Sequence, residues 1–178
     1  MDVLEIIAKY YPTDSKAYNI LVWHSTCVAK KTLAIINKHP EWEIDKAFAY
    51  EAAMLHDIGI FMTDAPKIDC HGTFPYICHG YLGADILRKE GLPQHALVCE
   101  RHTGTGISLE TIVDKNLPLP HRNLEPVSLT EQIICFADKF YSKSHLDYEL
   151  PIEKVRATIR KYGQQSMAKF EEWVALMG

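Results

Sequence analysis

Apolar positions along the chain recur at three- and four-residue intervals, and strict alternation is nearly absent, so the sequence predicts an all-α protein. Val3, Leu4, Ile7 and Tyr10 mark a short opening helix that Pro12 closes. Thr13-Asp14-Ser15 supplies N-cap residues for a long helix from about Lys16 to Lys38, with Ile20, Trp23, Cys27, Leu33 and Ile36 on its buried side. A third helix runs from about Ile44 to Asp57, and Gly59 stands just past it, where a C-terminal glycine belongs. Residues 61–78 read as a loop punctuated by Pro66, Gly72 and Pro75. Helices then follow from His79 to Gly91 and from Pro93 to about His102, with a short one around Ser108 to Asp114. Leu117-Pro118-Leu119-Pro120-His121-Arg122 is an extended connector, and Leu129 to Lys143 is strongly helical. Two amphipathic helices, roughly 151–162 and 164–177, complete the pattern. No repeat or composition shift divides it, which predicts a single domain over residues 1–178.

The composition is that of an ordinary globular protein: 178 residues, 47% hydrophobic and 24% charged. A net charge of −4 argues against a partner bound by neutralising phosphates along a nucleic-acid polymer. Cys27, Cys70, Cys78, Cys99 and Cys135 form no CxxC pair, which suits buried free thiols in a reducing compartment. The opening residues lack a signal-peptide pattern, and no apolar run approaches the ~20 residues that span a bilayer. A cytoplasmic protein without a membrane partner is therefore expected. The sequence leaves the oligomeric state open.

Nine histidines change the picture. His56-Asp57-Ile58-Gly59 closes the third helix; adjacent helical residues point about 100° apart, so His56 and Asp57 converge only on an ion beside the helix end. His24 lies on the preceding helix, His79 opens the one after the loop, and His102 ends the next. Asp138 sits among Ile133, Ile134, Cys135, Phe136 and Phe140, where a carboxylate is costly to bury unless paired or bound to metal. Imidazole and carboxylate suit divalent transition metals such as Fe, Mn, Co or Zn. Singly, His24 or His79 reads as a satisfied polar residue of a bundle; six such accidents together are hard to sustain.

In these segments the sequence resembles the HD-domain metal-dependent phosphohydrolase superfamily, in its HDIG-bearing branch. The matching stretches are Trp23-His24-Ser25, Met54-Leu55-His56-Asp57-Ile58-Gly59, His79-Gly80-Tyr81-Leu82-Gly83-Ala84, Arg101-His102-Thr103-Gly104 and Phe136-Ala137-Asp138-Lys139, within a core of about residues 20–145. The His-Thr-Gly and Ala-Asp-Lys segments also resemble HD-type hydrolases of diadenosine tetraphosphate; the stretch from Leu117 to Lys139 looks more like uncharacterised HDIG proteins. The resemblance implies an HD-domain helical bundle with two metals per chain. His24, His56, Asp57 and Asp138 would hold the first, and His79 and His102 the second, with Asp57 bridging. It implies hydrolysis of a nucleotide or other small phosphorylated substrate by a metal-activated water, with Asp57 at the catalytic centre. An HD-type di-iron oxygenase and a non-catalytic nucleotide-binding module are the alternatives. Ligation needs neutral imidazole, so metal affinity is expected to weaken below about pH 6.

The pattern departs at one place: many HDIG hydrolases continue with a lysine that holds phosphate, whereas Ile60 and Phe61 follow here. Lys139, Arg101 and Arg122 are the substitutes for substrate binding, in that order. Lys139 and His71 are the candidates for protonating a leaving group. His39, His95 and His145 read as surface residues, and His121 as a weaker candidate beside Arg122. Trp23, Trp42, Trp173, Tyr141 and Phe140 read as core or capping residues.

Overall fold

A computed structural model describes residues 1–145 and 148–178. Among them nine α-helices surround the core: α1 (Val3–Ala8), α2 (Lys16–Lys38), α3 (Lys46–Leu55), α4 (His79–Lys89), α5 (Pro93–Arg101), α6 (Leu109–Asp114), α7 (Leu129–Asp138), α8 (Ile152–Ile159) and α9 (Gln164–Met177). The region read as a loop contains short 3-10 turns and a small ribbon, in which β1 (Asp64–Ala65) pairs antiparallel with β2 (Cys70–His71). Two-residue strands are too short for alternation to show in a sequence.

Local chemistry sets the helix starts. Asp2, Ser15, Asp45, Ser108 and Ser128 each accept hydrogen bonds from first-turn N–H groups. At α7 the cap is reciprocal: Ser128 Oγ accepts from Glu131 N, and Glu131 Oε2 accepts from Val127 N at 2.9 Å. The termini of α5 and α8 rely on Pro93 at the first turn and Pro151 just before it.

The largest core cluster joins α1, α2, α3, α4 and α5 through Ile7, Leu21, Val28, Leu55 and Leu87. A second, around Phe136, Phe140, Phe170 and Trp173, fixes α8 and α9 against α7 and the far end of α2. A third, formed by Cys78, Leu82, Ile112, Leu119 and Leu124, packs the extended connector under α4 and α6. That connector gains a partner where Ile107 and Leu124 exchange backbone hydrogen bonds.

Trp23, expected on the buried side of α2, is exposed, and three further expectations need correction. First, α7 ends at Asp138, not Lys143: its last turn tightens into bonds from Lys139 N to Phe136 O and Tyr141 N to Asp138 O. Phe140 still enters the core beyond the helix, so the apolar periodicity outlasts the helix that it suggested. Second, His95 is buried, stacked edge-on against Phe48 with Nε2 3.3 Å from Glu51 Oε2. The first turn of α5 faces α3, not solvent.

Third, Gly59 is not a left-handed cap: its φ is −85°. It is required by close approach. A Cβ there would stand 2.3 Å from His79 O and 2.4 Å from Gly83 N, both backbone atoms of α4. Gly83 answers it, since its own added Cβ would meet Cys99 Sγ at 2.6 Å and Gly59 N at 2.9 Å. The two glycines let the turn after α3 press onto α4. We therefore expect Gly59→Ala to lower the unfolding free energy by about 1–3 kcal/mol, the usual cost of overpacking an interior. Denaturant titration checks this, and an unchanged midpoint would show that the contact is not tight.

Candidate metal centre

Five elements deliver six side chains to one buried point. His24 comes from the middle of α2, Asp138 from the last residue of α7, and His56 and Asp57 from the turn closing α3. His79 opens α4 and His102 closes α5. All six are buried, and Asp57 is wholly so. The turn after α3 is pinned from behind by Tyr11, whose hydroxyl donates to Ile58 O at 2.8 Å and accepts from Phe61 N at 3.2 Å.

Asp57 is the common member. Its Oδ2 lies 3.2 Å from His24 Nε2 and 3.1 Å from His56 Nε2; its Oδ1 lies 3.4 Å from His79 Nε2 and 3.3 Å from His102 Nε2. Asp138 Oδ1 adds contacts of 2.9 Å to His24 and 3.4 Å to His56. The geometry thus forms two groups able to hold an ion: His24, His56, Asp57 and Asp138, and Asp57, His79 and His102. The family resemblance implied the same two groupings, with Asp57 shared.

Hydrogen bonds fix how three of the rings face the centre. His56 Nδ1 donates to Ala53 O at 2.6 Å, His79 Nδ1 to Tyr76 O at 2.6 Å, and His102 Nδ1 to Cys99 O at 2.7 Å. A carbonyl only accepts, so each Nδ1 carries the proton and each Nε2 is turned inward for ligation. His79 Nε2 and His102 Nε2 then stand 3.0 Å apart. Burial pushes His79 down to about 3, with His102 and Lys143 adding to the effect and Asp57 opposing it; burial also lowers His102. Both rings are therefore neutral, and two lone pairs face each other at hydrogen-bond distance without a proton between them. No hydrogen bond of regular geometry reaches either oxygen of Asp57, although an ion pair with the Lys143 ammonium does. Opposed lone pairs beside a buried carboxylate fit a cation between them and are costly otherwise.

A family model for the HD domain matches residues 21–142, more than half of the chain. The chain belongs to the HD-domain family, and so to the metal-dependent phosphohydrolase superfamily. This HD protein is 37% identical over 107 residues to an uncharacterized protein of Methanocaldococcus jannaschii. It is also 30% identical over 167 residues to a protein of Thermoplasma volcanium named tRNA (cytidine(56)-2'-O)-methyltransferase, and 27% identical over 150 residues to one of that name from Picrophilus torridus. These alignments take in 60%, 93% and 79% of the present chain, respectively. They span only 56% of the Methanocaldococcus protein and 42% and 39% of the other two. No solved structure gives a significant match.

Beside the HD centre opens a cavity of about 520 Å³, lined by His79, His102, Asp138, Lys139, the Thr103–Ile107 loop, Tyr76 and, from the C-terminal helices, Tyr162, Gln165 and Ser166. Lys139 belongs to its wall: Nζ donates to Asp138 Oδ2 at 2.8 Å and to His102 O at 3.0 Å. Burial would lower Lys139, but Asp138 outweighs it and raises the pKa, so the group is a cation and a poor proton donor. The other candidates stand elsewhere. His71 is 68% exposed on β2, beside Asp69 and outside the cavity lining. Arg101 pairs with Glu131 at 3.0 Å, and Arg122 with the buried Glu100 at 2.7 Å, which also receives Arg88. His121 is exposed.

Sequence reading missed Lys143, whose Nζ lies 2.6 Å from Asp57 Oδ2. The assumed continuation of α7 hid it, because on a helix Lys143 would lie more than a turn beyond Asp138. Burial would raise Asp57, yet Lys143 and His56 outweigh it and hold the carboxyl well below the usual range. Asp138 is likewise held down against burial, by Lys139 and His24. Burial would lower His56, but Asp57 and Asp138 lift it to about 9.

The expectation of weakening below about pH 6 thus divides by residue. His79, at about 3, has no proton to displace near neutrality, whereas His56, at about 9, has one. Loading metal at pH 7 should release about one proton, chiefly from His56, and that release should fade as pH rises through the His56 pKa. Calorimetry in buffers of unequal ionisation enthalpy measures it. Stoichiometric binding at pH 7 without proton release would refute a charged His56.

Proposed function

We propose that this HD domain is a hydrolase of phosphoric esters or anhydrides, acting on a nucleotide or another small phosphorylated molecule. The observation that carries the reading is one buried carboxylate, that of Asp57, shared between two groups: His24, His56 and Asp138 beside one oxygen, and His79 and His102 beside the other. Two divalent transition metals, of the Fe, Mn, Co or Zn kind, would supply there a water made acidic enough to give hydroxide at neutral pH and positive charge for the phosphoryl oxygens. The chain's own residues do the rest. Carbonyl-bound Nδ1 groups keep three of the four imidazoles oriented, so binding does not require those rings to be reorganised. Lys139, anchored by two hydrogen bonds, contributes a fixed positive charge to the cavity wall. The Thr103–Ile107 loop turns through Gly104 and Gly106, at φ of +62° and +92°, and brings Thr103 and Thr105 into the same wall.

The cavity volume suits a ligand of nucleotide size, and Tyr76, Tyr162, Ile77 and Ile107 offer it apolar and aromatic surface next to the cationic end. The net charge of −4 favours a small substrate over a polymer. The two relatives named as tRNA methyltransferases favour one further candidate, a phosphoester carried on tRNA.

The test is phosphate release by protein loaded separately with Mn(II), Fe(II), Co(II) or Zn(II). The substrates are mononucleotides, cyclic nucleotides, dinucleoside polyphosphates, sugar phosphates and tRNA bearing a terminal phosphate. Asp57→Asn should lower the best activity by more than about a hundredfold, because even outer partners of metal ligands cost 10- to 100-fold. Equal activity in the variant would sink the site. Oxygen consumption by iron-loaded protein without phosphate release would replace hydrolysis by oxidation at the same centre.

A further inference from the structure

The two lysines near the centre are held very differently. Lys139 is tethered twice, to a carboxylate and to the backbone carbonyl of His102. Lys143 reaches in from the turn after α7, and its ammonium rests on Asp57 Oδ2, the oxygen that also faces His24 and His56. That oxygen is one a metal in the first group would claim. An ammonium and a divalent cation on the same oxygen repel strongly in a buried site, so one must yield. Lys143 can yield, since no backbone acceptor holds its ammonium among the described residues.

Where it goes is constrained by the cavity. Among its lining residues the only acid is Asp138, whose Oδ2 Lys139 already occupies. Lys143 lines this cavity and, with Tyr76, also borders a second cavity of about 480 Å³ beneath the β1–β2 ribbon. A displaced ammonium on the first side therefore meets no carboxylate left to pair with, and a phosphate oxygen of a ligand is the anion that would enter there.

We propose that Lys143 is an exchangeable counter-ion of the centre: it competes with metal for Asp57, and once displaced it binds the phosphate of the substrate. This rests on the metal-binding part of the reading above but not on hydrolysis. It also supplies, from the turn after α7, the cation whose place after Gly59 is taken by Ile60 and Phe61.

The test compares wild type with Lys143→Met, using Mn(II) alone and then inorganic phosphate on the Mn(II)-loaded protein, both by calorimetry. Removing the competing charge should tighten Mn(II) binding by about tenfold or more, and losing the anion partner should weaken phosphate by a similar factor, in line with close charge pairs. Lys143→Arg should restore phosphate binding. If Lys143→Met does not fold, Lys143→Gln, which keeps a polar tip without the charge, carries the same two expectations. Mn(II) affinity equal to or weaker than wild type overturns the competition. Unchanged phosphate affinity overturns the anion role and would direct the released ammonium toward the second cavity, where Asp64 stands. Lys143-dependent binding in a protein that hydrolyses nothing would sink the hydrolase reading and uphold this one.

Discussion

The structure depends on one carboxylate kept out of water. Asp57 is wholly buried, and its charge is balanced by the imidazoles and the Lys143 ammonium that the surrounding helices and turns bring within about 3.5 Å. Such an arrangement is costly unless its partners are held firmly, because an unpaired buried charge is among the most destabilising features of an interior. The scaffold holds them from several sides. Gly59 and Gly83 allow backbone to touch backbone, and Tyr11 fastens the turn from the rear. Cys135 Sγ and Lys139 Nζ both bond to His102 O, joining the ends of α5 and α7.

The positions that gather at the centre were legible because most of them lie where the sequence punctuates itself. His56, His79 and His102 fall beside Gly59, Pro75 and Gly104, at helix boundaries that breakers reveal. Asp138 was legible for the opposite reason: a charge inside an uninterrupted apolar helix demands a partner. What stayed hidden depended on tertiary placement. Lys143 follows a helix whose apolar period continues after its hydrogen-bond ladder has tightened, since Phe140 is core without being helical. His95 occupies a first turn that packs against α3, so a position normally wet is dry. Gly59 obeyed a local capping rule in the sequence and a backbone contact in the fold. No local pattern predicts which element lies opposite a residue.

The second half of the chain has a role that periodicity left open. The amphipathic helices α8 and α9 pack on α7 through Val155, Ile159, Phe170 and Trp173. In doing so they bring Tyr162, Gln165 and Ser166 to the cavity beside the metal ligands. The ligands come from α2 through α7, whereas part of the wall comes from residues after 160, beyond the 21–142 stretch that defines the family. The residues of the centre and part of the cavity wall beside it thus come from different parts of the sequence.

The bonds from His56 and His102 to carbonyls three residues back have a second meaning. Each histidine occupies the C-cap of its helix, and each accepting carbonyl belongs to the last turn, among those that a helix end leaves without a partner. His79 caps the 3-10 turn that precedes α4, where its ring N–H joins its own backbone N–H on Tyr76 O. One proton therefore finishes a helix and aims a ring. The residue that ends the helix is also the one that would ligate, so a substitution that spares the bundle but disarms the centre must still offer a donor at that place. For such positions tolerance to change is governed by two demands at once, and a sequence drifting away from metal chemistry would have to find new ends for its helices as it went.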